Sequence, residues 1–100
     1  ERRAWLKIDL LREDSVSTVI VVNRRDCCIR RINGFKVSVG NDGINAAANA
    51  ECGGRSKAEG GANIIQCPRT LRGRYVFVYM TRYTTMALHE VEVYRERKTE

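Results

Sequence analysis

The sequence predicts an all-β fold, an antiparallel β-sandwich or jelly roll. Three observations carry that prediction. Apolar residues alternate with polar ones at a period of two almost wherever a period can be read. The alternating runs are short and rich in β-branched residues, with turn chemistry between them. Helical periodicity is scarce.

Five strands follow in order. In "AWLKIDL" Leu6, Ile8 and Leu10 alternate against Lys7 and Asp9. "SVSTVIVV" is apolar on both faces, as a central strand would be. After an Asn33-Gly34 turn signal, "FKVSVG" sets Phe35, Val37 and Val39 inward with Lys36 and Ser38 outward. "RYVFVYM" offers Val76, Val78 and Met80 on one side, and Tyr75, Phe77 and Tyr79 on the other. "ALHEVEVYR" opposes Ala87, Val91 and Val93 to Leu88, Glu90, Glu92 and Tyr94. Residues 41–63 read instead as a long Gly-, Ala- and Asn-rich loop, with one helical turn over 46–50. Within it, "NDGIN" lacks the rest of a calcium loop. One domain over residues 1–95 and a charged, fraying tail over 96–100 complete the division.

One hundred residues, 43% of them hydrophobic, suit a single folded domain. The net charge of +6 favours anionic or hydroxyl-rich partners. No apolar run approaches the roughly 20 residues of a membrane-spanning helix, so membrane insertion is not expected. The chain opens on Glu1 and reads as a mature or excised segment. No Ser/His/Asp set, carboxylate pair or phosphate loop points to an enzyme, and a single histidine leaves little for acid–base work.

The chemistry concentrates in "NRRDCCIRRING", residues 23–34, where Cys27 and Cys28 stand side by side among four arginines. Spaced Cys-x-x-Cys pairs, the zinc pattern, do not occur, so disulfides and an oxidising, extracellular setting are expected. The neighbours either bond to each other or reach distant cysteines, and buried thiols are a third possibility. A bond between them closes a small ring through one peptide, a shape kept where the surroundings demand it. Cys52 and Cys67 bracket the second half of the long loop. Linked across 15 residues, they would stabilise the fold by about 3 kcal/mol. An adjacent disulfide is a rigid apolar knob, and Arg24 and Arg31 beside it are forks for sugar hydroxyls. Asp26 is placed to brace one of them. The plain alternative is a solvated basic rim, and phosphate or sulfate is another. Nucleic acid is not expected, since no aromatic is interleaved with the arginines to stack on bases.

This stretch resembles the signature of the F-type lectins, the fucose-binding fucolectin family. Their motif is His, twenty-six residues, Arg-x-Asp, four residues, then Arg or Lys. Here Arg24-x-Asp26 is followed by Cys27, Cys28, Ile29 and Arg30, then Arg31. "GRYVFVYM" and "EVEVY" are similar to the family's closing strands. The resemblance implies a discoidin-like jelly roll holding α-L-fucose in a shallow pocket. It implies that Arg24 and Arg31 donate to the ring oxygen and hydroxyls, and that the Cys27–Cys28 bond packs on the sugar ring. It implies Cys52–Cys67 as the second disulfide. It also implies calcium at Glu90, with the carbonyl of residue 89 beside it. The motif histidine would fall before Glu1, so the chain resembles the later two-thirds of a family domain. Much of the calcium site and one pocket wall belong to the part not matched. The family commonly has a cysteine where this chain has His89. As a lone histidine on a strand, His89 is expected to be structural. Sugar binding by these residues alone is expected to be weak, and exposed sheet edges are expected to favour homo-oligomers. The implied partners are fucosylated glycans or glycoproteins. The implied roles are innate recognition, agglutination or gamete adhesion. The alternative is a discoidin-like interaction domain using its basic rim on proteins or sulfated glycans.

Overall fold

The computed structural model describes residues 4–84, 86 and 88–96. Five strands build the fold: β1 (Trp5–Asn23), β2 (Phe35–Gly40), β3 (Ala50–Arg55), β4 (Gly61–Tyr79) and β5 (Leu88–Arg95). All pairings given are antiparallel, in the order β3-β2-β4-β1-β5. The prediction of an all-β antiparallel protein holds.

Two of the predicted strands are one. "AWLKIDL" and "SVSTVIVV" form the single 19-residue β1, and the break between them is an irregularity rather than a loop. The register with β4 slips between Asp9 and Asp14. Within it Leu11 sits at φ 70°, its N–H held by the Asp9 carboxylate at 2.8 Å. Arg74 forks onto the same carboxylate at 2.8 and 3.0 Å. A second slip at Ser17 turns Val16 and Val19 to the same side, and both are buried.

The long loop is shorter than predicted. Residues 50–55 form β3, and β4 begins at Gly61, thirteen residues before the strand that "RYVFVYM" suggested. Their alternation is hidden by glycine in β3 and by a register skip at residues 67–70 in β4, where Pro68 needs no ladder partner. The expected helical turn is present as a 3₁₀ turn at Ala46–Ala48. Asp42 caps its loop by accepting from the N–H groups of Ile44 and Asn45.

β3 pairs with β2, and β2 pairs with residues 75–79 of β4. Yet Cys52 of β3 bonds Cys67 in the first half of β4. The sheet therefore folds over on itself, and the disulfide crosses between its layers. The core lies between them: Val16, Val19, Val21 and Ile65 from one, Phe35, Val37, Val39, Val76 and Val78 from the other. Gly40 and Gly73 meet backbone to backbone at a crossing where a side chain on Gly73 has no room.

Two facing assignments change. Ser38, expected outward, is fully buried beside Phe77, because the loop over residues 41–49 covers that face. Lys7 ties this loop down through the Gly43 carbonyl at 3.0 Å. Leu88 was assigned to the face of Glu90, but it packs on the core. The cause is a bulge: Val22 pairs with Glu90 and Asn23 with Leu88, which leaves His89 as the extra residue. The expectations for Ala87 and for tail residues 97–100 fall outside the described residues; Glu96 donates its N–H to the Ser15 carbonyl.

Candidate functional site

The site loop leaves β1 at Asn23, the point where the ladder with β5 ends. Asn23 is buried and its amide closes the loop. Its Nδ2 donates to the carbonyls of Ile29 (3.0 Å) and Glu59 (3.1 Å), while Oδ1 accepts from the Arg24 N–H. Asn63, also buried, accepts from the Glu59 N–H and donates to the Val21 and Glu59 carbonyls. Asn33 Oδ1 accepts from the Ala58 N–H at 2.7 Å, and the Gly34 N–H donates to the Arg55 carbonyl. Residues 23–34 are thus bound at both ends to residues 55–63. Buried amides with every group used hold one backbone shape well. Gly61, at φ 82°, leaves the space that the Arg25 guanidinium fills.

Cys27 and Cys28 are joined in a disulfide, and Cys52–Cys67 is the other. The small ring is accommodated without a cis peptide. Cys28 instead takes φ 64°, a left-handed conformation that costs a non-glycine residue about 1–2 kcal/mol. Cys27 is exposed. After the ring comes a 3₁₀ turn, Ile29–Ile32, whose Ile32 plugs the core.

Arg24 and Asp26 form a two-toothed pair, Nε to Oδ1 at 3.0 Å and Nη2 to Oδ2 at 2.8 Å. The guanidinium holds the Asp26 carboxyl down to about 2, and the carboxylate in turn raises Arg24. Both groups keep their charge at any ordinary pH. Arg24 is more than a third exposed, with its fork turned in plane by Asp26. Arg31 lies on the 3₁₀ turn, exposed, its N–H bonded to the Cys28 carbonyl. Arg82 donates from one Nη2 to the carbonyls of Arg31 and Asn33, each at 3.0 Å.

A cleft of about 480 Å³ opens beside the pair, lined by Val22, Asn23, Arg24, Arg25, Asp26 and His89. Sequence reasoning left His89 outside the site. The β5 bulge is what delivers it to the cleft wall. Reasoning from sequence also missed the three asparagines; a single Asn ending a β-branched strand was the available signal for Asn23.

Glu90 does not gather a cation site from the described residues. Its carboxyl shares a hydrogen bond with Glu92, which raises Glu90 and lowers Glu92, and Tyr94 donates to Glu92. Calcium takes about six to eight oxygens. No group of three or more His, Cys, Asp or Glu suited to a metal occurs among the described residues. These residues do not fit a calcium ion by themselves.

A family model described as NedA-like, galactose-binding domain matches residues 1–78. The chain belongs to that galactose-binding domain family. Among curated proteins, this galactose-binding domain is similar to Fucolectin-4 of Anguilla japonica. The two are 38% identical over 93 residues, 89% of this chain and 51% of that one. The Fucolectin of Anguilla anguilla is 36% identical over 91 residues, 58% of its length. The domain thus spans about half the length of the curated relatives it matches. Its fold superposes on an F-lectin from the serum of striped bass, Morone saxatilis, with a TM-score of 0.85 and 34% identity. That match covers 95% of this chain and 33% of the other. The lectin domain of Lectinolysin, solved with Lewis B antigen, matches at TM-score 0.74 and 28% identity, covering 97% of this chain and 68% of that one. The resemblance to fucolectins read from the sequence holds, and so does the galactose-binding-domain fold.

Proposed function

We propose that the chain is a non-enzymatic carbohydrate-binding domain that recognises terminal α-L-fucose on glycans. One observation carries the reading: a single loop bound at both ends carries both a rigid disulfide of adjacent cysteines and a guanidinium held in plane by Asp26. A sugar presents C–H groups on one face and hydroxyls at its edges, and this pairing of an apolar knob with fixed donors answers both. The likeness to fucolectins supports the same ligand. Arg24 and Arg31 donate to the ring oxygen and hydroxyls, the Cys27–Cys28 bond packs on the ring, and Asp26 orients Arg24. Calcium has no part in this reading, since Glu90 and Glu92 alone do not hold it. An extracellular setting agrees with the two disulfides and with the serum source of the bass relative. No helix among the described residues is long and apolar enough to cross a membrane. Innate recognition, agglutination and cell adhesion suit such a domain, whose weak single sites gain by multivalency.

Each hydrogen bond to a neutral hydroxyl is worth about 1 kcal/mol net, so affinity for the monosaccharide is of millimolar order or weaker. Titration with fucose, followed by NMR at the arginine Nε–H groups, tests this. Saturable shifts confined to Arg24 and Arg31 are expected. Signals unmoved by fucose, or moved equally by glucose, overturn it. The second reading is an interaction domain acting through its basic rim, favoured by arginines around the loop that pair with no carboxylate among the described residues. Binding through the rim alone fades steeply with salt, whereas recognition of neutral fucose persists.

A further inference from the structure

Charge on this molecule is unevenly matched. Around the β1 irregularity, remote from the site loop, Asp9 pairs with Arg74, Glu13 with Arg72, and Asp14 with Arg95 and Arg12. Around the site loop the balance reverses. Asp26 is taken by Arg24. Arg25, Arg30, Arg31, Lys57 and Arg82 pair with no carboxylate among the described residues. Arg25 lies flat against Gly61. Three of the others converge on one short feature. Arg30 and Arg31 are consecutive and exposed on the 3₁₀ turn, and Arg82 is tethered to the carbonyls of Arg31 and Asn33. That tether uses one nitrogen, Nη2, and leaves Nε and Nη1 free of any hydrogen bond among the described residues. Three exposed guanidinium side chains carried by one short feature, with no carboxylate partner among the described residues, make a positive surface suited to an anion.

We infer that Arg30, Arg31 and Arg82 form an oxyanion subsite beside the fucose seat, and that the domain's preferred ligand is a fucosylated glycan carrying a sulfate ester. This rests on the fucose reading, which it extends to the neighbouring residue of the glycan. A guanidinium fork matches two coplanar oxygens. A carboxylate is used up by one such fork, whereas a sulfate ester offers three terminal oxygens and can engage two forks and a third charge together. A sulfate ester is also charged at every physiological pH, as the arginines are. Arg31 joins the two halves of the ligand, with the fucose on one side and the anion on the other.

Matched pairs of fucosylated oligosaccharides, with and without one sulfate ester, test the inference by titration calorimetry at two salt concentrations. The sulfated member is expected to bind on the order of fivefold tighter, a gain typical of exposed charge pairs. Raising the salt should erase that margin. Arg30→Gln should shrink it while leaving affinity for the neutral sugar unchanged, and Arg82→Lys should keep part of it. A sialylated glycan is the second arm; equal preference for its carboxylate overturns the assignment to sulfate. Equal affinity for the sulfated and plain sugars overturns the subsite. So does binding of heparin or DNA that ignores fucose. If no fucosylated ligand binds but inorganic sulfate still shifts the Arg82 Nε–H signal, the fucose reading has failed and the anion site stands.

Discussion

At the scale of single residues, the site depends on groups whose charge is fixed by a neighbour. Arg24 lowers the Asp26 carboxyl to about 2, against 3.8 for the free group. A depressed carboxyl stabilises the folded loop at pH values above its ordinary value. That contribution is lost as pH falls from about 4 towards 2. The Arg24 Nε–H resonance should therefore stay shifted while the protein is folded until pH falls to about 2, and should relax towards free-arginine values only below that. Asp26→Asn should show the relaxed signal at all pH and bind fucose more weakly than the native protein. A different residue marks a cost left in the core. Ser38 Oγ is buried and has no hydrogen-bond partner among the described residues. Removing an unsatisfied hydroxyl relieves its desolvation cost, so Ser38→Ala should leave stability unchanged or raise it by up to about 1 kcal/mol in urea denaturation. The burial of Ser38 is not legible in the sequence. "FKVSVG" assigns Ser38 to the solvent face, and only the loop lying across that face reverses it.

At the scale of elements, the two disulfides act on different properties. Cys52–Cys67 joins layers that are not ladder neighbours and closes 15 residues. Replacing both by alanine should cost about 3 kcal/mol, read as a lower urea midpoint. Cys27–Cys28 closes almost no chain, so Cys27→Ser with Cys28→Ser should change stability far less but abolish fucose-induced NMR shifts. The glycine crossing is a third case. A methyl on Gly73 would run into the Gly40 backbone, which cannot swing aside as a side chain can. Gly73→Ala should cost about 1–3 kcal/mol, measured by the same denaturation. The strand pattern could be read where alternation is uninterrupted, as in β2 and the end of β4. It failed in β3 and the start of β4 because glycine and the 67–70 skip erase the period there. It failed at Leu88 because a bulge inserts one residue into the count.

Viewed whole, the molecule is 43 × 27 × 21 Å, with its recognition loop at one end of the β1–β5 ladder. At the other layer, residues 5–9 of β1 pair with β4, while among the described residues the β5 ladder lies along Val16–Asn23 of β1. Trp5, Leu6 and Leu11 on this stretch are exposed, and Ile44 nearby is 93% exposed. Apolar side chains along a strand that its neighbour does not cover favour pairing with a second copy. Self-association should appear as a rise in scattered mass with concentration, and Leu6→Lys should suppress it. A molecule that stays monomeric at high concentration would remove this expectation.

The sequence by itself determined the all-β class and, through family resemblance, both disulfide pairings, because periodicity and covalent spacing are local facts. It placed Asp26 to brace one of the neighbouring arginines for the same reason, and the structure decided that the partner is Arg24. Only the tertiary structure decided that His89 faces the cleft, that Asn23 and Asn63 bind the loop, and that Arg82 comes to rest on Arg31. The Arg82–Arg31 contact alone joins residues 51 positions apart. Which side chains meet at such separations depends on how the sheet folds over and where its bulges fall.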